Sequence, residues 1–84
     1  MVYELYLRRE ALEFLRQCRG ADRDQLLDLL DGLGKDPFRK GDFVEKDRTG
    51  RDIEVVIFRR FAILYWADHA VKEVKVIDVR LADR

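Results

Sequence analysis

The side chains of this sequence best suited to chemistry are cationic, and the most informative of them lie in its second half. They are Lys46, Arg51, Arg60, Arg80 and Arg84. Ammonium and guanidinium groups bind phosphate oxygens, and arginine does so through two parallel hydrogen bonds. These positions therefore predict a phosphate-binding surface if the fold brings them together. The alternative is that each pairs with a nearby aspartate in a surface ion pair of small energetic value.

A histidine and a few carboxylates are the other candidates for chemistry. His69 is the only histidine and follows Asp68, and an imidazole suits acid-base catalysis near neutral pH. The alternative is that it is a polar residue on a turn. Glu45 is a possible base, although an exposed glutamate on a strand is the simpler interpretation. Asp42, Glu45 and Asp47 alternate along the chain without converging ligands, so we predict no metal site and no cofactor.

These residues lie on or beside a predicted antiparallel sheet. Residues 53–58, 61–67 and 71–81 are rich in Val, Ile, Phe, Tyr and Trp, and two short polar breaks separate them. They predict a three-stranded meander. Residues 2–7 alternate as a strand does, and residues 42–46 predict a further short strand before a turn that ends at Gly50.

Two amphipathic helices are predicted between the first two strands. The first has an apolar stripe formed by Ala11, Leu12, Leu15 and Cys18, and Gly20 is expected to end it. Asp22 is expected to cap the second helix, which ends near Asp36. Its apolar stripe comprises Leu26, Leu29, Leu30 and Leu33. The predicted fold is α+β in the order β-α-α-β-β-β-β, with a helical hairpin packed on one face of a mainly antiparallel, twisted sheet.

The composition restricts the possible functions. The 84 residues are expected to form one domain, residues 1–84, and carry 17 basic and 17 acidic side chains. Without a surplus of positive charge, any nucleic-acid binding must come from local clustering of cations. No apolar run is long enough to span a membrane and no signal peptide is recognised. The single cysteine, Cys18, fits a reducing cytoplasm.

Four short motifs give the chain a family resemblance. They are RREALEFL after the opening strand (residues 8–15), DPF at the end of the second helix (36–38), GDF (41–43) and FAILY in the centre of the meander (61–65). With the order of elements, these motifs resemble the RelE/ParE superfamily of toxins from type II toxin-antitoxin modules. The resemblance covers nearly the whole chain.

The resemblance implies a toxin that is neutralised by a cognate antitoxin. Members similar to RelE cut messenger RNA in the ribosomal decoding site without a metal, whereas members similar to ParE bind and inhibit DNA gyrase. Metal-free cleavage needs a base for the 2′-OH proton, a cation for the charge that develops on the phosphate, and an acid for the leaving oxygen. The resemblance implies that these groups lie on the sheet face opposite the helices, and that a basic C-terminal end containing Arg80 and Arg84 belongs to the site.

The sequence also departs from the pattern of the RNA-cutting members. Their central strand usually begins Tyr-Arg, and here Phe61 and Ala62 stand at those positions. The preceding strand carries Asp52 and Glu54 where catalytic lysines are expected, and carboxylates beside the scissile phosphate would oppose the reaction. Three functions remain open: ribosome-dependent RNA cleavage, inhibition of gyrase, and a catalytically silent binding domain.

Two adjacent aromatic residues bear on the partners. Tyr65 and Trp66 alternate along the central strand, so one ring faces the helices and the other faces the open side of the sheet. An open-face ring can stack on a nucleobase or lie in a homodimer interface. An antitoxin of this family wraps the toxin with a helix or strand, and the balanced charge predicts a contact that depends strongly on apolar burial.

Overall fold

A five-stranded sheet runs through the molecule with two helices on one face. The computed structural model describes residues 2–82. The elements are β1 (Glu4–Leu7), α1 (Arg9–Gln17), α2 (Gly20–Lys35), β2 (Phe43–Lys46), β3 (Asp52–Phe58), β4 (Phe61–Asp68) and β5 (Glu73–Leu81). The strands lie in the order β1-β5-β4-β3-β2, with β1 parallel to β5 and every other pair antiparallel. The predicted α+β class, the β-α-α-β-β-β-β order and the helical hairpin on one face are confirmed.

Strand β4 lies in the middle of the sheet and separates two apolar layers. Phe61, Ile63 and Tyr65 point to the helices and are buried in the main core. Ala62 belongs to a smaller cluster on the opposite face, with Trp66 packed against it. We call this opposite side the open face, because no helix covers it. The predicted alternation of Tyr65 and Trp66 is therefore confirmed.

The helices bury most of their predicted apolar residues on the sheet, but Leu12, predicted to belong to the apolar stripe of α1, is 44% exposed. Leu26, Leu30 and Leu33 are almost fully inaccessible to solvent, as is Ala11 on α1. Truncation of a leucine at such a site typically costs about 2–5 kcal/mol of unfolding free energy. The hairpin is thus held on the sheet mainly by apolar burial.

The junction between the helices differs from the prediction. Helix α1 ends at Gln17, and Gly20 begins α2 in place of ending α1. Gly20 has a φ of +60°, a conformation that glycine adopts without steric cost, so the chain turns sharply at this residue. Asp22 is therefore inside the second helix and is not its cap. Its carboxylate instead pairs with Arg60 at 2.8 Å.

Three strands begin later in the sequence than predicted and are therefore shorter. Strand β1 begins at Glu4, where pairing with β5 starts, and β2 begins at Phe43. Strand β5 begins at Glu73 because the preceding residues form a turn in which Lys72 has a φ of 58°. In residues 2–82 we find no helix that is long and apolar enough to cross a membrane.

The connection from α2 to β2 packs closely on the sheet. A side-chain carbon at Gly41 would lie 2.6 Å from the carbonyl oxygen of Val55, so only glycine fits without displacement of the backbone. The next residue, Asp42, continues the contact. Its amide donates a hydrogen bond to the carbonyl of Val55, and its carboxylate accepts a hydrogen bond from the amide of Ile57. This packing fixes residues 36–41 against one side of β3.

Candidate nucleic-acid interface

A groove crosses the open face below the turn that joins β2 to β3. Two adjoining cavities of about 330 and 450 Å³ share Arg8, Asp47 and Ile77, so they form one continuous depression. We call it the Arg51 groove. Its other lining residues are Tyr6, Glu10, Arg48, Thr49, Arg51, Trp66, Lys75, Val76 and Asp78.

Arg51 and Trp66 form the centre of this groove. The Arg51 guanidinium lies 3.9 Å from the centroid of the Trp66 ring, within the range of a cation-π contact. In residues 2–82 no carboxylate lies within ion-pair distance of Arg51 or of its neighbour Arg48. Neither guanidinium group forms a direct ion pair, although the charge of Arg51 is close enough to Asp47 to help lower the pKa of that carboxylate. Tyr6 adds a second aromatic ring at the groove, with 53% of its surface exposed.

The turn at residues 47–51 determines where Arg51 lies. Oδ1 of Asp47 accepts hydrogen bonds from the hydroxyl and the amide of Thr49, at 2.7 and 2.8 Å, and from the Arg51 amide at 3.0 Å. Gly50 completes the predicted turn by donating to the Asp47 carbonyl. The bond from the Thr49 hydroxyl is the main cause that lowers the pKa of Asp47. The carboxylate is thus ionised at neutral pH and holds the turn.

The remaining cations of the groove have carboxylate partners. Lys75 lies 5.2 Å from the Trp66 centroid, and its ammonium pairs with Asp68 at 2.9 Å and with Glu73 at 3.9 Å. The hydrogen bond from Lys75 is the main cause that lowers the pKa of Asp68. Arg8 pairs with Glu10 at 3.7 Å. Glu10 is well exposed, so solvent weakens its pair with Arg8, whereas the pair of Lys75 and Asp68 is partly buried.

Arg80 lies on the same open face beside the groove, which it does not line, and one of its partners, Asp78, is a groove residue. Its guanidinium is 3.3 Å from both carboxylate oxygens of Glu45 and 4.0 Å from Asp78. Ala62 is its partner in the strand register. Arg80 is thus largely neutralised, and the small Ala62 side chain adds no polar group beside it.

The other predicted site residues lie elsewhere. Lys46 pairs with Asp52 at the edge of the sheet, and Arg60 pairs with Asp22 of α2. His69 lies on the helix side, where its Nδ1 is 2.8 Å from the Tyr3 hydroxyl. Arg84 lies outside the described residues. Of the six predicted residues, the Arg51 groove therefore contains only Arg51 among those that the structure describes.

The two acidic residues of β3 lie away from the groove as well. The sequence led us to expect Asp52 and Glu54 beside the phosphate-binding surface. Instead, Glu54 accepts a hydrogen bond from the Gly41 amide at 2.7 Å, and both residues line a separate cleft under residues 37–40. They therefore do not oppose anion binding in the Arg51 groove by direct contact.

Sequence reasoning missed Tyr6, Arg8, Arg48 and Lys75 as groove residues. A signal existed for Arg48, because it belongs to the turn that was recognised between β2 and β3. Tyr6 and Lys75 face each other in the register of β1 and β5. That parallel pairing joins segments almost seventy residues apart, and no local pattern reports it. In residues 2–82 no group of three or more His, Cys, Asp or Glu side chains is arranged to hold a metal ion.

Comparison with known proteins agrees with the fold. No family model and no curated protein matches the sequence. Among solved structures, the archaeal RelE-RelB complex from Pyrococcus horikoshii matches with a TM-score of 0.79 at 15% identity, covering 100% of this chain and 99% of that one. The isolated RelE toxin of Escherichia coli matches with a TM-score of 0.76 at 25% identity, covering 98% of this chain and 86% of that one.

A further match extends the likeness to a toxin solved with its antitoxin. The intact RelBE toxin-antitoxin complex of E. coli has a TM-score of 0.72 and 26% identity, covering 98% of this chain and 99% of that one. These likenesses run along nearly the entire chain and include both helices and the complete sheet. They confirm the fold that the sequence motifs indicated: the chain has the fold of RelE toxins and is similar to them along nearly its whole length.

Proposed function

We propose that this chain is the toxin of a type II toxin-antitoxin module and that its Arg51 groove binds single-stranded RNA. The first part is supported by the likeness to RelE toxins along the whole chain, in structures that include complexes with an antitoxin. A cognate antitoxin is then the expected partner, and the cytoplasm is the expected location.

The observation that carries the RNA proposal is the Arg51 guanidinium stacked on Trp66 without a carboxylate partner in residues 2–82. A single strand exposes both its phosphates and its base faces. Phosphates bind to free guanidinium groups such as those of Arg48 and Arg51, and bases stack on aromatic rings. Tyr6 and Trp66 supply such rings at the same groove. A folded duplex hides its base faces and matches this combination less well.

RNA cleavage in this groove would use the 2′-hydroxyl of the substrate. A base removes its proton, the 2′-oxygen bonds to the adjacent phosphorus, and the bond from phosphorus to the 5′-oxygen breaks as that oxygen gains a proton. The products are a 2′,3′-cyclic phosphate and a 5′-hydroxyl. Arg51 would stabilise the negative charge on the phosphate. Tyr6 and Lys75, together with the carboxylates Glu10 and Asp78, are groove side chains that can exchange a proton without breaking the Asp47 turn.

Induced expression in a bacterial host tests this proposal. The wild-type chain is compared with Arg51→Ala, and Arg23→Ala is the matched control because Arg23 is an exposed arginine on α2, away from the open face. Growth is followed and messenger RNA ends are mapped. We expect arrest with new RNA ends from the wild type and from Arg23→Ala, and neither from Arg51→Ala. Equal cleavage by all three chains would overturn the role of the groove.

A second candidate is a toxin that binds a protein target such as DNA gyrase. The observation that favours it is the neutralised Arg80 region, where Phe43 and Ile57 are 48% and 40% exposed. An apolar surface of this kind suits a protein partner better than RNA. Growth arrest without new RNA ends would support this candidate. If the protein is soluble and folded but causes no growth arrest, the result would instead support a catalytically silent binding domain.

A further inference from the structure

A cleft lies on the helix side of the sheet, where β3 and β4 separate. The two strands pair from Glu54 opposite Tyr65 to Phe58 opposite Phe61, whereas β4 continues to Asp68. The end of β4 pairs only with β5, and the space on its other side is a cavity of about 370 Å³. Residues 37–40 form its other wall. A cavity of this volume falls at the small end of the range for ligand-binding sites.

An exposed aromatic ring forms part of this wall. Phe38 is 66% exposed, yet its ring is stacked on His69, with 4.9 Å between the ring centroids and 14° between the planes. His69 is itself held by the Tyr3 hydroxyl, 2.8 Å from Nδ1, and Tyr3 is buried. One face of Phe38 is thus fixed against the protein. The exposed part of the Phe38 ring can stack on a planar group.

The cleft has positively charged groups on its wall and a negatively charged group further in. Arg39 and Lys40 belong to the wall, and in residues 2–82 neither has a carboxylate within ion-pair distance. Glu54 lies further in, and only one of its oxygens accepts a hydrogen bond, from the Gly41 amide at 2.7 Å. Asp52 is neutralised by Lys46. A matching ligand therefore needs an anionic end and an end that donates hydrogen bonds.

The backbone that carries these groups is fixed in place. The Tyr65 hydroxyl donates a hydrogen bond to the carbonyl of Arg39 at 3.0 Å. Burial is the main cause that raises the pKa of Tyr65 to about 12, so this donor keeps its proton at neutral pH. Gly41 follows directly and is packed against the Val55 backbone. The wall is therefore preorganised, which reduces the entropic cost of binding.

We propose that this cleft binds a nucleotide, with its base stacked on Phe38 and hydrogen-bonded to Glu54 and its phosphate on Arg39 and Lys40. An ionised carboxylate only accepts hydrogen bonds, so it prefers a base edge that carries adjacent donors. Guanine offers two such neighbouring groups, a ring N–H and an amino group. Uracil offers one N–H between two carbonyl oxygens, which the carboxylate repels. The cleft therefore favours guanosine monophosphate (GMP) over uridine monophosphate (UMP).

Trp66 connects this subsite to the Arg51 groove, because it lines both cavities. An RNA strand that lies in the groove can pass the edge of β4 and place one nucleotide in the cleft. This extension rests on the proposed function, whereas binding of a free mononucleotide does not. The subsite would then select which base of the RNA occupies that position.

Calorimetric titration of the full chain with GMP and UMP tests the proposal, and Trp66, the only tryptophan, gives a parallel fluorescence signal. We expect saturable GMP binding that is about tenfold tighter than UMP binding, since one to two hydrogen bonds separate them. Glu54→Gln keeps an acceptor for Gly41 and should remove most of the preference for GMP. Phe38→Ala should weaken both nucleotides, and the Arg39→Ala, Lys40→Ala variant should reduce GMP binding to the level of guanosine.

Several results would overturn the proposal. They are equal affinity for GMP and UMP, unchanged binding in Phe38→Ala, and no saturable heat with the folded wild type. The wild type and the Arg51→Ala variant are also titrated with a single-stranded RNA oligonucleotide. If Arg51→Ala leaves RNA binding unchanged while the GMP preference persists, the proposed groove fails and the cleft stands. If RNA binding requires Arg51 but GMP does not bind, the cleft fails alone.

Discussion

The open face contains two regions that are each centred on an arginine. Both arginines are positively charged, but they differ in whether a carboxylate already pairs with the guanidinium. Arg51 lies over Trp66 without a carboxylate partner in residues 2–82, whereas Arg80 lies within 4.0 Å of both Glu45 and Asp78. The difference shows that the presence of an arginine on the expected face does not define a phosphate site. The partners of its guanidinium decide whether it can bind an anion.

The surroundings of the two arginines strengthen this contrast. The Arg51 groove is concave and combines cations with aromatic rings, which suits a single RNA strand. Around Arg80 the face is formed by small and aliphatic side chains together with the exposed Phe43 ring, and Ala62 lies directly opposite in the register. A chain with equal numbers of acidic and basic residues can therefore still present one local cationic surface.

The largest expected effect comes from removing the free charges of the groove. The Arg48→Ala, Arg51→Ala variant should bind a single-stranded RNA oligonucleotide at least about tenfold more weakly, because each hydrogen bond to a charged group contributes roughly 1.5–3 kcal/mol before solvent screening. The slope of log affinity against log salt concentration should also decrease in magnitude by about 1.4 for two lost phosphate contacts. Fluorescence anisotropy at several salt concentrations measures both quantities.

Arg80→Ala is the matched comparison for this variant. Its guanidinium is already paired, so RNA affinity should change less than about twofold and the salt slope should stay the same. If Arg80→Ala weakened RNA binding as much as the double variant, the contrast between the two regions would be wrong. The effective site would then extend across the whole open face.

The next effect concerns the aromatic ring beneath Arg51. Trp66→Leu removes a stacking surface and should weaken RNA binding by roughly 1–2 kcal/mol, which is about five- to thirtyfold. Trp66→Phe keeps an aromatic ring and should lose much less. Because Trp66 also packs on the open-face cluster, thermal unfolding of both variants is measured in parallel. Equal RNA affinity of the Leu and Phe variants would show that the ring does not stack on a base.

A smaller change, an increase in RNA affinity, is expected when Arg80 loses its carboxylate partner. Glu45→Gln removes the carboxylate that lies 3.3 Å from the Arg80 guanidinium and raises the net charge by one. RNA affinity should increase about two- to fivefold, which corresponds to roughly 0.5–1 kcal/mol for an exposed pair. Glu13→Gln on α1 makes the same charge change on the helix side. An equal gain in both variants would mean that only net charge matters.

Most of the fold could be predicted because its signals are local. Runs of Val, Ile, Phe, Tyr and Trp in residues 53–81 predicted the meander, and the leucines at 26, 29, 30 and 33 predicted the helix that covers it. The prediction that Gly20 ends the first helix was wrong, because glycine ends a helix or begins one with similar ease, depending on its φ. The cap predicted at Asp22 failed for the same reason.

The candidate site was less predictable because it depends on pairings between distant residues. Arg80 was a reasonable choice by position, but its neutralisation requires Glu45 on β2, which is separated from β5 by two intervening strands. His69 lies on the helix side because the end of β4 turns toward Tyr3, sixty-six residues earlier in the chain. Lys75 and Tyr6 meet only through the parallel pairing of β1 and β5. A sequence pattern predicts which face of the sheet a side chain points to, but it does not predict which strands pair.

The smallest expected effect concerns the turn that positions Arg51. The folded-state pKa of Asp47 is lowered below the ordinary value of 3.8, mainly by the Thr49 hydroxyl. Its contribution to stability is therefore complete above that ordinary value and is lost as the pH falls through the lowered pKa. Asp47→Ala should reduce the melting temperature at neutral pH and bind RNA roughly twofold more weakly, since Arg51 loses its fixed position.

The difference between wild type and Asp47→Ala should shrink in acid, because the wild-type carboxylate becomes protonated and accepts hydrogen bonds less well. Asp47→Asn is the control, since its side-chain oxygen still accepts hydrogen bonds in the turn but carries no titratable charge. Thermal unfolding from neutral pH to below 3.8 compares the three chains. A gap between wild type and Asp47→Ala that stays constant over this range would show that the charge of Asp47 does not hold the turn. The position of Arg51 would then depend on Gly50 and the backbone alone.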